Sequence, residues 1–170
     1  MPGRSLEIKL YHNPRGSAVP SPRDGDYPTF EGEPLVLQNS DFIAGLPMEG
    51  ITADATPTRL AVPLAVDEDT PDVLVLEDDT VYAVEVTVAG RQDNGDAVVV
   101  HIRGAIKRDV GVASTLIVDT PVVEELRSGL TTATAAIVAD VADGGLGVQV
   151  TGEAASNINW TARLRVLGVQ

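Results

Sequence analysis

The amino-acid sequence predicts an all-β fold, an antiparallel β-sandwich or jelly roll that follows an extended, proline-rich N-terminal arm. Short segments of alternating apolar and polar residues recur through the second half, with turn residues between them. Ten of the eleven prolines fall within residues 1–71, where they would interrupt regular strands and helices. We therefore expect an arm with short strands over residues 1–63 and a sandwich domain over residues 64–170.

The arm contains few candidate strands. Residues 6–10 alternate between apolar and charged side chains and suit a short edge strand. Residues 35–37 and 60–62 are further short candidates, whereas residues 38–58 look irregular. A loop of this length is uncommon in a compact domain unless it has a function.

Four of the six aromatic residues of the chain lie on this proline-rich segment. Apolar anchors on an extended segment suit binding across a neighbouring surface. The alternative, that the segment folds back onto its own domain, is equally consistent with the sequence. The candidate partner-contact residues are Tyr11, Tyr27, Phe30 and Phe42.

The sandwich domain begins with a strand at residues 73–76 and then a hairpin. Alternation over 81–89 and over 98–106 keeps both apolar sets on one face only if paired residue numbers have an even sum. A three-residue loop, 93–95, meets this condition. It also places Gly95 at the left-handed position of a type I turn with a bulge.

This hairpin register makes specific pairs. Val86 should lie opposite Ile102, and Glu85 opposite Arg103. The second pair predicts an exposed cross-strand ion pair, which would contribute about 0.2–1 kcal/mol.

The strands after the hairpin are less regular. Residues 112–118 alternate weakly, and residues 122–126 suit either a strand or a helical turn. The many β-branched residues of 131–139 favour a strand. Residues 146–150 alternate cleanly after a glycine-rich turn.

The final strand carries Trp160, the only tryptophan of the chain. Residues 158–166 place it on the apolar face, with Arg163 and Arg165 on the other face. We interpret Trp160 as a core residue in the floor of the sandwich, paired with residues 146–150, and not as a ligand contact.

Composition narrows the class of function. The formal charge of −13 disfavours nucleic acid and anionic membrane surfaces as partners. The absence of cysteine excludes disulfides and thiol catalysis. We expect no signal peptide, because residues 1–9 lack an apolar run, and no membrane-spanning segment.

The sequence contains no pattern typical of catalysis. We therefore expect that the protein is not an enzyme and that it binds no cofactor and no metal. The two histidines, His12 and His101, are isolated, and no phosphate-binding or nucleophile motif occurs. Carboxylates cluster in loops, where calcium ligation or a glycosidase pair are possible readings. Turn-forming aspartates on a solvated surface explain these clusters better. The carboxylate clusters lie at residues 24–26, 67–72, 77–79, 93–96 and 140–143.

About half of the chain, residues 80–167, resembles β-rich virion structural proteins of tailed bacteriophages, of the decoration or cement type or the tail-fibre type. The resemblance lies in Thr151-Gly152 followed by Ile158, Trp160, Ala162 and Leu164 near the end. Upstream, the strand 84–89, the turn Gly95-Asp96 and the exit 104–108 look similar.

The resemblance implies a non-enzymatic module of a virus particle, located in the virion and assembled in the host cytoplasm. Its partners would be the major capsid protein or other virion proteins. The chain would also form a homo-oligomer, with a trimer favoured. A capsid decoration or cement protein is preferred because its arm suits exchange between neighbours. The alternatives are a tail-fibre or baseplate β module, a glycan-binding or adhesin-type sandwich that uses calcium, and an acidic hydrolase.

Overall fold

A computed structural model describes residues 42–62 and 72–169. This part of the chain confirms the predicted all-β, antiparallel sandwich-like fold. One short 3-10 helix, Val112–Ser114, interrupts the strands. The strands are β1 (Phe42–Thr52), β2 (Pro57–Arg59), β3 (Val73–Val75), β4 (Thr80–Gln92), β5 (Ala97–Arg108), β6 (Leu116–Ser128), β7 (Thr134–Asp140), β8 (Gly145–Thr151) and β9 (Ile158–Val169).

Five strands form the larger sheet, in the order β1-β9-β4-β5-β6. The smaller sheet is built around β8, which pairs with β7 along its whole length. On the other side of β8, β2 pairs with one end and β3 with the other. The smaller sheet is therefore only about three strands wide at any point.

Aliphatic side chains from both sheets fill the space between them. Alternation along β4, β5 and β9 directs every second residue inward, as the sequence predicts. Trp160 and Tyr82 are the bulkiest buried residues, and the Trp160 side chain is 1% exposed. The position of Trp160 in the core is confirmed, but β9 faces β8 across the core and does not pair with it.

The predicted hairpin register is confirmed. Val86 lies opposite Ile102, and the amide of Gln92 donates to the carbonyl of Asp96 over 2.9 Å. Gly95 has a φ of 100°, the left-handed conformation that this bulged turn requires.

The prediction that residues 38–58 are irregular is wrong where the structure describes them. Residues 42–52 form β1 and residues 57–59 form β2. The glycine and proline positions misled the prediction because β1 is an edge strand, where Pro47 removes no ladder hydrogen bond that the sheet needs. Both sheets therefore include residues that precede 64, where we expected the sandwich to begin.

The remaining strand predictions have separate outcomes. Leu60 donates a backbone hydrogen bond to Val148 and Ala61 bridges to Glu49, so residues 60–62 form a crossing and not a full strand. Residues 122–126 lie in strand β6, which settles their ambiguity. The strands expected at 131–139, 146–150 and 158–166 are present, with observed bounds of 134–140, 145–151 and 158–169. The candidate strands at 6–10 and 35–37 lie outside the described residues.

Candidate interaction surface

The four aromatic anchors are not tested by the structure. Tyr11, Tyr27 and Phe30 lie outside the described residues. Phe42 is the first residue of β1, opposite Leu167 in the β1–β9 ladder. The exposed features of the sandwich itself therefore provide the candidate surface.

Strand β6 is the most exposed strand of the described sandwich. It is 13 residues long and lies at the edge of the larger sheet. Among the described residues, β5 is the only strand with which it pairs. Val123 lies opposite Ile102 on the inner face, yet Val123 is 46% exposed and Ile102 is 0% exposed. The core thus extends only partly under β6, where Ile117 packs against it while Val123 remains exposed.

Aliphatic residues line this uncovered strand on both faces. On the outer face, Val122 is 54% exposed and Leu126 is 75% exposed. Native proteins usually guard a long edge with charge, proline or bulges, since free edges recruit other strands. β6 has such guards in Pro121 and a register shift next to it, but its aliphatic residues remain uncovered. They are Leu116, Val118, Val122, Val123 and Leu126.

Charged side chains fix the geometry of β6. Glu124 accepts a hydrogen bond from Arg103 on β5 at 3.1 Å. Arg127 contacts Glu125 on the same strand and donates to the carbonyl of Leu130 over 3.0 Å, with a second bond to Ala133. The end of β6 is therefore tied to the loop that leads into β7, and its exposure does not reflect a loose strand.

A polar cluster occupies the middle of the outer face of the larger sheet. Glu85 contacts Nε2 of His101 at 3.1 Å and Nη1 of Arg165 at 3.0 Å. His101 Nδ1 lies 2.9 Å from the hydroxyl of Thr87. Glu85 lies opposite Arg103 as predicted, but the expected ion pair is replaced because neighbouring strands supply closer partners to both side chains.

This outer face is more basic than the rest of the chain. Among the described residues, it carries five of the eight Lys and Arg residues, namely Arg91, Arg103, Lys107, Arg163 and Arg165. The carboxylates of Glu49, Glu85 and Glu124 offset part of this charge. An open groove of about 690 Å³ runs over β9 beside Arg163 and Arg165. The local charge of this face thus differs in sign from the net charge of −13 of the whole chain.

Trp160 is held from both sides. Its indole N–H donates to the hydroxyl of Thr52 on β1 over 2.9 Å, in a buried setting. Gly50 and Gly90 lie opposite it on the two neighbouring strands. Because the indole is enclosed and Trp160 is only 1% exposed, its role is to fill the core.

The acidic turn after β7 has a structural role. Oδ1 of Asp140 accepts from the amides of Ala142 and Asp143, both at 2.9 Å, and Oδ2 contacts Arg59 of β2. The Asp143 amide, with help from Arg59, holds the pKa of Asp140 below its usual range, although burial opposes this. Asp140 thus joins the turn to the opposite side of β8.

Other carboxylates of the described loops also bond to protein groups. Asp78 lies 2.7 Å from Nε of Arg108, and Asp96 accepts from the side chain of Asn94 at 2.8 Å. Backbone bonds from Thr132 lower the pKa of Glu153, and bonds from Thr56 lower the pKa of Asp54. Across 42–62 and 72–169, no group of three or more His, Asp or Glu side chains is arranged to hold a metal ion.

None of the helices in the described part of the chain is long and apolar enough to cross a membrane. Comparison with models of known protein families and with curated proteins found no match to this chain.

Proposed function

We propose that this protein is a non-enzymatic structural component of a tailed-phage or viral particle. In this role it is a capsid decoration or cement protein, which binds the particle surface and neighbouring subunits. The observation that carries the proposal is β6, an edge strand with five aliphatic side chains that are 38% to 75% exposed. A strand of this kind suits an assembly protein, because association covers the edge that folding leaves exposed.

The positions of the residues that resemble virion proteins support the same class. The turn at Gly95, the exit strand to Arg108 and the Trp160 strand fall on β4, β5 and β9. These are the three inner strands of the larger sheet. Most of the residues that carry the resemblance therefore lie side by side in the larger sheet, while Thr151 ends β8 of the smaller sheet.

The surfaces suggest what those partners are. The aliphatic edge suits another protein chain, and the basic outer face suits an acidic protein surface. Within the proposal, the partners are the major capsid protein or other virion proteins and further copies of this chain, in a trimer.

The test is binding of purified protein to particles that lack it. We expect the full chain to co-sediment with the particles, and a variant without residues 1–34 to lose co-sedimentation while its melting temperature is unchanged. Antibody labelling in electron micrographs should mark the capsid. Labelling of the tail would favour a fibre or baseplate module, and absence from particles would exclude the virion function.

A further inference from the structure

We propose that the free edge of β6 accepts residues 6–10 of a neighbouring copy of this chain as an additional strand of the larger sheet. The inference deepens the proposed function and rests on it, since it names the surface that receives the arm. It gives the arm a specific binding site on the described sandwich.

The edge is suited to strand addition. In this mode of recognition, main-chain hydrogen bonds supply affinity and alternate side chains supply specificity. Beyond the register shift at Pro121, β6 offers the six regular residues 122–127 for a five-residue guest, and Val122 and Leu126 project from its outer face. An added strand would place side chains about 5 Å from theirs.

The guest sequence matches this edge in its alternating pattern, and although residues 6–10 are neutral, the residues that flank them are basic. Leu6, Ile8 and Leu10 alternate with Glu7 and Lys9, which gives one apolar face to cover the β6 aliphatics. Residues 1–23 contain four Lys and Arg residues and one Glu, a net charge of +3. β6 contains three carboxylates and one Arg, a net charge of −2.

The chain that precedes β1 is long enough to carry residues 6–10 to a neighbouring copy. β1 begins at residue 42 on one edge of the sheet, and β6 is the opposite edge, about 19 Å away at the usual strand spacing. The 31 residues 11–41 contain five prolines. A fully extended chain spans at most about 3.3–3.6 Å per residue, so a segment of this length can reach several times the width of its own sheet.

Engineered cysteines test the contact directly, because the chain has none of its own. One full-length copy carries Ile8→Cys and a second, differently tagged copy carries Leu126→Cys. The two are co-expressed and treated with a short bismaleimide, and the products are separated by gel electrophoresis. Ile51→Cys, on the opposite edge strand and 66% exposed, replaces Leu126→Cys as the matched control.

We expect a linked heterodimer with Leu126→Cys and at least about tenfold less with Ile51→Cys. Equal linkage at both sites would overturn the proposal. So would self-linkage of Leu126→Cys copies in place of the heterodimer, since that would indicate pairing of β6 with β6. A chain that carries both Ile8→Cys and Leu126→Cys separates binding within one copy from binding between copies. Linkage in that chain alone would show that the arm binds its own sheet, and this result would also overturn the proposal.

The experiment needs no virus particle, so its failure is distinct from failure of the proposed function. Loss of the cross-link with retained particle binding would remove the β6 contact alone. A specific cross-link in a protein that no particle contains would remove the virion role alone. Melting curves of each cysteine variant verify that the sandwich is folded.

Discussion

Gly90 lies directly opposite Trp160 in the β4–β9 ladder, and the indole ring occupies the space where a side chain at position 90 would be. A Cβ placed on Gly90 would lie 2.6 Å from Cζ3 of Trp160. Gly50 lies opposite Trp160 on the other side, in β1. The indole of the single tryptophan therefore uses the space left by Gly90, whereas the space left by Gly50 is occupied by Leu60.

Gly90→Ala is expected to destabilise the protein by about 1–3 kcal/mol, because the added methyl group overpacks a rigid ring. Chemical denaturation of the full chain measures the change. The same substitution in a Trp160→Leu background is the control, since the smaller side chain relieves the overlap. Additive effects of the two substitutions would contradict the contact, because contacting residues should couple.

Trp160→Ala is expected to reduce the free energy of unfolding by about 3–5 kcal/mol through a cavity in the core. Thr52→Val, which removes only the partner of the indole N–H, should cost about 1–2 kcal/mol. The tryptophan fluorescence of the wild type should be blue-shifted, as for a buried indole. A Trp160→Ala protein that melts within a degree or two of wild type would show that the residue is not in the core.

Asp140 should make stability depend on pH in the acidic range. Its pKa in the folded protein is lowered below 3.8, so the folded state favours the charged carboxylate. This contribution is complete well above pH 3.8 and is lost as the pH falls through the lowered pKa. Denaturation of the wild type between pH 7 and pH 2 measures the loss.

Asp140→Asn is the matched variant for this pH dependence. It should be about 1–2 kcal/mol less stable than wild type at pH 7, because the contact of Arg59 with a charged partner is lost. The difference between the two proteins should shrink as the pH falls below 3.8. A constant difference at all pH values would contradict the assignment of the effect to this carboxylate.

Calcium provides a test of the glycan-binding alternative. The carboxylates of Asp78, Asp96 and Asp140 already bond to protein groups, so we expect equal melting temperatures in calcium and in chelator. A rise of several degrees in calcium would favour the metal-binding alternative, because a ligand that binds only the folded state raises its stability.

The sequence was most informative where local rules agreed. The apolar residues of β4 and β5 share one face only if paired residue numbers have an even sum, and Gly95 favours the left-handed conformation. Both rules specified the same β4–β5 register, and the structure has that register. Alternation in β9 likewise identified the buried face that contains Trp160. Each of these signals lies within one hairpin or one strand.

Prediction failed where the partner was distant in the sequence. β1 contains Gly45, Pro47 and Gly50, which local rules assign to a loop. Pairing with β9 makes it a strand, and Gly45 accommodates a register shift in that ladder. The ion pair predicted for Glu85 failed for the same reason, because Arg165 belongs to a strand about 80 residues away.

The pairing of β1 with β9 joins the first described strand to the last one. During synthesis, β1 emerges more than 100 residues before the strand that satisfies its backbone. The β4–β5 hairpin can form early from local contacts, whereas closure of the larger sheet must await nearly the whole chain. Folding of this protein is therefore expected to be slow and to finish only after β9 has left the ribosome.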